Sequence, residues 1–464
     1  SPLAKHVALV GFMGAGKTEL GGEVARRIGR PFVDVDAEIE RREGPELMAF
    51  TLGEEIFRER EREIAVELLH GAEPAVVALG GGAIQSAEIR EALRSRAVTV
   101  LVEVDPAVAW ERVRGQRPLA QYEQEFYELY ERRRPLYDEV ADAKARDADD
   151  VVLAAAGVHV SHGALSHVRG LTPHRSAALV SEPHVLGIHG AEAQVALGSR
   201  LVSVHELPTG EEAKTLAAVE RLWHELRIPR AGMVVALGGG ALLDAAGFVA
   251  ATYLRGVPWV AVPTSLVAQV DAAIGGKTAI DLPAAKNLVG AFHWPARTVI
   301  DPSLLATLPE QQRREGMAEV VKTGLLAGEP LWELPDAELV RRCAAFKAAV
   351  CLRDPHEVGE RAILNLGHTF AHALEAAGAY ERVTHGQAVA LGLLAALRLS
   401  DRSTQTVEKL LAPRPVRVDR DRAWEALRRD KKAGLVLLGD DGPRWNVHMP
   451  ESDVRRELDR LIAD

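Results

Sequence analysis

The stretch Gly11-Phe12-Met13-Gly14-Ala15-Gly16-Lys17-Thr18 decides the first half of the fold. It satisfies the spacing G-x-x-x-x-G-K-[ST], follows the apolar run His6 to Val10 and opens a helical pattern. In a strand–loop–helix setting the glycines let backbone N–H groups converge on phosphate oxygens. The lysine adds a cation and the threonine a hydroxyl that can ligate Mg²⁺. Far downstream, Gly238-Gly239-Gly240 follows a second apolar run, Met233 to Leu237, with Asp244 four positions on. That turn has no lysine and is not G-x-G-x-x-G, so alone it is a weak dinucleotide signal. One chain carries two nucleotide-handling signatures of different kinds.

A length of 464 residues predicts two to four domains. No apolar run is long enough to span a bilayer, and Ser1 to Lys5 leads into a strand-like segment with no secretory h-region. Two cysteines, Cys343 and Cys351, suit neither a disulfide framework nor a zinc knuckle. The expectation is a reduced, cytoplasmic setting. The net charge of −10 argues against a general nucleic-acid binder, which shows a basic surface.

Short apolar runs at 6–10, 31–35, 75–79 and 98–104 alternate with helical stretches, the pattern of an α/β parallel sheet flanked by helices. A second α/β series follows, with strands expected at 158–160, 177–181, 201–204, 233–237, 258–262 and 297–300. From Pro302 onward the pattern is helical: Gln311–Leu326, Leu339–Leu352, Glu360–Ala376 and Gly386–Leu399. The expected domains are 1–155, 156–305 and a mostly helical 306–464. Little room is left after Asp149 for a closing helix in the first.

Within the first domain, Asp34 and Asp36 end a strand two residues apart and are expected on one face. Phe57-Arg58 sits in a charged helix, and Gly80-Gly81-Gly82 follows the third strand. Together with Arg117-Pro118-Leu119 and Arg133-Arg134-Pro135-Leu136-Tyr137, these residues resemble shikimate kinase over about residues 5 to 150. The resemblance implies a P-loop kinase fold. Lys17 and the backbone at Gly11, Gly14 and Gly16 would hold ATP, and Thr18 and Asp34 would act near Mg²⁺. Asp36 would hold and orient the shikimate hydroxyls. Arg58 and Arg133 would pair with its carboxylate, Gly81 would touch it through the backbone, and Arg117 would clamp the transferring phosphoryl group.

In the second half, Gly316-Met317-Ala318-Glu319-Val320-Val321-Lys322 places a carboxylate and an ammonium on one helix face. Asn365-Leu366-Gly367-His368-Thr369-Phe370-Ala371-His372 places two histidines at i and i+4, and His385-Gly386 begins a further helix. A glutamate and two histidines form a three-ligand set that leaves a position open. No H-E-x-x-H is present, which excludes the zincin reading.

With Pro263-Thr264-Ser265, Gln269-Val270-Asp271, Gly275-Gly276-Lys277-Thr278 and Lys286-Asn287, these residues resemble 3-dehydroquinate synthase over about residues 158 to 464. The resemblance implies a Zn²⁺ (or Co²⁺) held by Glu319, His368 and His385. It implies NAD against Glu211, Lys214, Gly239, Gly240, Asp244 and Thr264. The heptulosonate phosphate would meet Lys277, Lys286, Asn287, Asn365, His372 and one of Lys431 and Lys432. Lys347 and Arg361 would hold its carboxylate, with Asp271, Lys277, Lys322 and His372 in catalytic positions. Arg255 would reach a neighbouring subunit's site, implying a homodimer. Ser181-Glu182-Pro183-His184-Val185 stands where that family carries an aspartate and an asparagine.

The resulting expectation is a bifunctional enzyme with small-molecule substrates. Three other readings stay open: a metal- and NAD-dependent polyol dehydrogenase for the second half, another sugar-phosphate cyclase, or a kinase half serving only as a structural partner.

Overall fold

The computed structural model describes residues 2–463 apart from 49, 52, 116–118, 174, 284, 379–382 and 431–433. Arg117, Lys431 and Lys432 therefore lie outside the described residues. Contacts divide the chain into two compact units, Ser1–Gly157 and Val158–Asp464. Among the described residues no helix is long and apolar enough to cross a membrane.

The first unit is built on five parallel strands: β1 (His6–Val10), β2 (Phe32–Asp34), β3 (Val76–Ala78), β4 (Ala97–Val102) and β5 (Ala143–Ala145), in the order β2-β3-β1-β4-β5. Every residue of β1 is buried, which is why a central parallel strand reads as an unbroken apolar run. The chain leaves β1 towards β2 on one side and leaves β3 towards β4 on the other. The crevice at their carboxyl ends is therefore a topological switch point, where ligands bind in open α/β sheets. Gly11–Thr18 leaves β1 there and Gly80-Gly81-Gly82 leaves β3.

Two expectations for this unit are corrected. Asp34 and Asp36 do not share a strand face. The strand ends at Asp34, whose carboxylate accepts from the Ala37 N–H and caps the helix Val35–Glu43, so Asp36 lies in that helix. A closing helix is also present, Ala148–Ala155, started by the Asp147 cap and packed on the helix Lys17–Ile28. Arg27 ties the two helices through Asp149 at 2.5 Å.

The second unit contains β6 (Val158–Val160), β7 (Ala177–Ser181), β8 (Leu201–Glu206), β9 (Met233–Gly238), β10 (Trp259–Pro263), β11 (Lys277–Leu282), β12 (Ala285–Phe292), β13 (Arg297–Ile300), β14 (Leu435–Gly439) and β15 (Gly442–Val447). Six of them form a parallel sheet in the order β6-β13-β10-β9-β7-β8. Alternation along the strands splits its side chains between two cores. Ala178, Val180, Val234, Ala236 and Ala261 pack on one face, and Ala177, Leu179, Met233, Val235 and Val260 on the other. The switch point falls between β7 and β9. Ser181 Oγ donates to the Leu237 carbonyl across it at 2.6 Å.

A third core lies among the helices Glu310–Ala327, Asp336–Arg353, His368–Ala377 and His385–Leu399. The expected helical stretch Glu360–Ala376 is broken. Gly367 sits at φ 77, in space where a Cβ would lie 2.8 Å from the Leu393 amide nitrogen, so the segment divides into a 3₁₀ turn, Glu360–Asn365, and an α-helix beginning at His368. The antiparallel pairs β11–β12 and β14–β15 were not expected either. The apolar run Leu288–Phe292 in β12 stays largely exposed and is interrupted by Gly290, so its pairing with β11 supplies its stability.

Candidate functional sites

In the first unit the loop Gly11–Thr18 has the conformation that a phosphate cradle requires. Gly11, Gly14 and Gly16 all have positive φ, and a Cβ on Gly14 would lie 2.9 Å from the Ala109 carbonyl oxygen. Lys17 Nζ donates to the Gly11 and Phe12 carbonyls at 2.8 and 3.0 Å. Thr18 Oγ1 donates to Asp34 Oδ2 at 2.6 Å, so a hydroxyl and a carboxylate suited to Mg²⁺ are already adjacent.

The triple glycine gathers the remaining groups. A Cβ on Gly81 would stand 3.1 Å from the Met13 amide nitrogen. One on Gly80 would meet Asp36 Oδ1 at 2.6 Å and Glu61 Oε1 at 2.5 Å, and one on Gly82 would strike the Arg58 guanidinium. From the helix Glu123–Val140, buried Arg133 donates to the Gly81 carbonyl at 3.2 Å, and the Tyr137 hydroxyl donates to the same oxygen. The cradle, Asp36, Arg58, Gly81 and Arg133 thus meet at one crevice.

Glu61 was missed in the sequence, although it lies three residues after Arg58 on one helix face. It is 2 % exposed and takes Arg58 Nη1 at 2.6 Å. Burial pushes its carboxyl above the ordinary value against the pull of Arg58. Glu61→Gln keeps the volume and removes the charge that aims the guanidinium. The expected outcome is a KM for the carboxylate-bearing acceptor raised about tenfold, equivalent to about 1.4 kcal/mol, with the KM for ATP unchanged in steady-state assays.

In the second unit three helices converge. Glu319, His368 and His385 each offer a ligand atom, and these atoms lie within 4.8 Å of one another. Glu319 Oε1 faces His385 Nε2 at 3.1 Å and His368 Nε2 at 3.3 Å, while Lys322 Nζ holds Oε2 at 2.5 Å. Burial would push the Glu319 carboxyl up, but Lys322 and the two histidines outweigh it and hold the group far below its ordinary range. Burial would lower His385, yet hydrogen bonds to Glu319 and Glu375 raise it to about 10. A buried carboxylate with two imidazoles is a donor set that fits Zn²⁺ or Co²⁺. His372, the other histidine of its helix, points elsewhere, its Nδ1 3.2 Å from Asp430 Oδ2.

Alternating charges surround this cluster. Lys347 Nζ meets Asp271 Oδ1 at 2.6 Å, and Lys347 with Lys322 holds the Asp271 carboxyl low despite its burial. Lys277 Nζ pairs with Glu357 at 2.5 Å, and Asn365 Nδ2 reaches the same carboxylate at 3.4 Å. Glu357, in a loop with φ 56, carries no local sequence signal and was also missed. Arg361, 1 % exposed, donates to the Pro355 and Gly275 carbonyls, both at 2.9 Å, so it braces the turn before Lys277.

At the switch point Gly239 precedes the helix Gly240–Thr252, and the Thr264 N–H donates to the Gly238 carbonyl at 3.0 Å. Lys214, 4 % exposed, binds Asp244 Oδ2 at 2.9 Å and Asn287 Oδ1, with Asp281 at 3.7 Å and Glu211 at 4.0 Å. Lys286 lies 3.7 Å from Glu211. Asn287, at φ 53, is pinned by its N–H to Asp281 at 2.7 Å. Lys214→Met leaves the partly exposed carboxylates of Asp244 and Asp281 without their cation, at a cost below the ~3–5 kcal/mol of a fully buried pair. The expected result is a lower urea midpoint for the second unit and weaker NAD retention, read by fluorescence unfolding and equilibrium dialysis. Arg255 stands apart from these groups, exposed on a turn where both it and Leu254 have positive φ.

The first crevice defines a P-loop phosphotransferase, and the second unit joins a nucleotide-binding switch point to a three-residue metal cluster. Residues 13–157 match the shikimate kinase family, 204–315 the 3-dehydroquinate synthase N-terminal family and 316–433 the 3-dehydroquinate synthase C-terminal family. The bifunctional shikimate kinase/3-dehydroquinate synthase of Thermotoga maritima is 33% identical over 84% of this chain and 83% of its own length. The 3-dehydroquinate synthase of Gloeobacter violaceus is 44% identical over 61% of this chain and 89% of its own. A crystal structure of 2-deoxy-scyllo-inosose synthase with carbaglucose-6-phosphate, NAD⁺ and Co²⁺ superposes with a TM-score of 0.58 and 26% identity, covering 65% of this chain and 95% of that one. The chain belongs to the bifunctional shikimate kinase/3-dehydroquinate synthase family, with a phosphotransferase domain and a lyase domain.

Proposed function

We propose that the chain phosphorylates shikimate with ATP in residues 1–155. In residues 156–464 it converts 3-deoxy-D-arabino-heptulosonate 7-phosphate to 3-dehydroquinate and phosphate, with an NAD-binding part up to 305 and a helical part beyond. In the kinase, Lys17 exchanges the Gly11 and Phe12 carbonyls for ATP phosphate oxygens, and Thr18 and Asp34 hold Mg²⁺. Asp36 orients the attacking hydroxyl, and Arg58 and Arg133 take the shikimate carboxylate against the Gly81 backbone. Arg117 serves the phosphoryl group.

In the synthase, Glu319, His368 and His385 hold Zn²⁺ or Co²⁺, and Glu211, Lys214, Gly239, Gly240, Asp244 and Thr264 line the NAD site. When bound, the metal polarises a substrate hydroxyl and NAD accepts and returns a hydride. The protein's own groups do the positioning. Lys277, Lys286, Asn287, Asn365, His372 and the segment at Lys431 receive phosphate, and Lys277 leaves Glu357 to do so. Lys347 and Arg361 take the carboxylate, while Asp271 and Lys322 fix the charge balance around the reacting carbon. The strained, outward Arg255 supports a homodimer in which it completes the partner's site.

The observation that carries this reading is the coexistence of the carboxylate–histidine cluster with Lys277 and Lys347 in one unit. A polyol dehydrogenase has no use for those two cations. Assaying one purified sample for ATP-dependent shikimate phosphorylation and for phosphate release from the heptulosonate phosphate tests both activities. Release without net NADH is expected. Accumulating NADH would return the second unit to the dehydrogenase reading.

A further inference from the structure

Glu375 lies on the helix His368–Ala377, two turns beyond His368 and so on the same face. It is 7 % exposed, and its Oε1 is 3.3 Å from His385 Nδ1. The other ring nitrogen of His385, Nε2, faces Glu319 Oε1 at 3.1 Å. His368 is arranged in the same sense, with Nε2 towards Glu319 and Nδ1 3.2 Å from the Leu366 carbonyl.

An imidazole that gives its Nε2 lone pair to a metal must carry its proton on Nδ1. That N–H needs an acceptor when buried. For His368 the acceptor is a backbone carbonyl, which no substitution removes. For His385 it is a side chain carrying a full negative charge. The two histidines are therefore unequal: one is oriented by the fold, the other by a single replaceable carboxylate.

We propose that Glu375 is a positioning residue for the metal centre, accepting the His385 Nδ1 proton so that Nε2 is held as a basic ligand aimed at the cluster. This rests on the reading of Glu319, His368 and His385 as the metal site. The carboxylate acts in two ways. Its geometry fixes the tautomer and the ring plane, and its charge makes the imidazole a stronger donor. Because Lys322 already pairs with Glu319, the Glu375 carboxylate supplies the net negative charge that the centre sets against the two positive charges of the ion. Outer partners of this type are worth about 10–100-fold in metal affinity or activity.

The test uses the full chain with Zn²⁺ and Co²⁺. Zn²⁺ affinity is measured by competition with a chromophoric chelator, and the Co²⁺ form is followed by its visible absorption. Glu375→Gln retains an acceptor oxygen but no charge, and is expected to weaken Zn²⁺ about tenfold. Glu375→Leu removes both functions and is expected to weaken it by nearer a hundredfold, with an altered Co²⁺ spectrum. A merely structural role would shift the unfolding midpoint without this graded order or the spectral change. If Glu375→Leu does not fold, the near-isosteric Glu375→Gln decides. Zn²⁺ affinity within twofold of the parent in the folded variants, with an unchanged Co²⁺ spectrum, would overturn the proposal. His385→Ala separates the two levels: if it too leaves Zn²⁺ affinity unchanged, the metal-site reading fails and takes this proposal with it.

Discussion

Lys17→Ala is expected to lower ATP-dependent shikimate phosphorylation by about a thousandfold while leaving phosphate release by the synthase unit within twofold of the parent. Lys17 opens the helix that follows the cradle, and its ammonium already lies against the loop carbonyls at 2.8 and 3.0 Å. Phosphoryl transfer involves little covalent work by the protein, so catalysis rests on positioning and on cations placed where charge spreads over the phosphoryl oxygens. Loss of one preorganised donor of this kind costs about 10²–10³ in kcat, and a full positive charge belongs at the upper end. The loop itself should persist, because its glycines and the Thr18–Asp34 hydrogen bond do not involve the lysine. The two activities are measured on the same preparation. Loss of both in a folded protein would mean that the units do not work separately.

Glu319→Gln is expected to remove bound metal and to reduce cyclisation by at least about a hundredfold, with kinase activity retained. Both histidines face Glu319, and its second oxygen neutralises Lys322, itself 2 % exposed. The amide is a poor metal ligand, and it leaves a buried ammonium without its anion. Breaking such a pair costs about 3–5 kcal/mol, so a lower unfolding midpoint should accompany the loss of metal. Metal content after dialysis, phosphate release and thermal unfolding separate the two effects. A variant that still binds one equivalent of zinc and cyclises normally would sink the assignment of Glu319 as a ligand.

The legible parts of this protein are those in which a short segment carries its own physics. Gly11–Thr18 is readable because the dihedral angles that turn amide groups towards one point require glycine at fixed intervals. The central parallel strands are readable because burial on both faces demands unbroken apolar runs. Local capping was harder. Asp34 resembled the end of a strand face, yet its side chain was better used in starting a helix, which moved Asp36 out of the sheet.

Sequence by itself determined the two signatures, the parallel-sheet character of both units and the candidate ligands Glu319, His368 and His385. The local i, i+4 pattern did not decide which histidines share a point; the resemblance to 3-dehydroquinate synthase did. His368 and His372 are neighbours on one helix, but the cluster takes His385 from another helix instead. Only the tertiary structure placed Glu61, Glu357 and Glu375 against Arg58, Lys277 and His385. Periodicity reports which face of an element is buried. The partners of a buried charge are set by how separate elements pack, because an ion shielded from water needs its counter-charge in space and not in sequence.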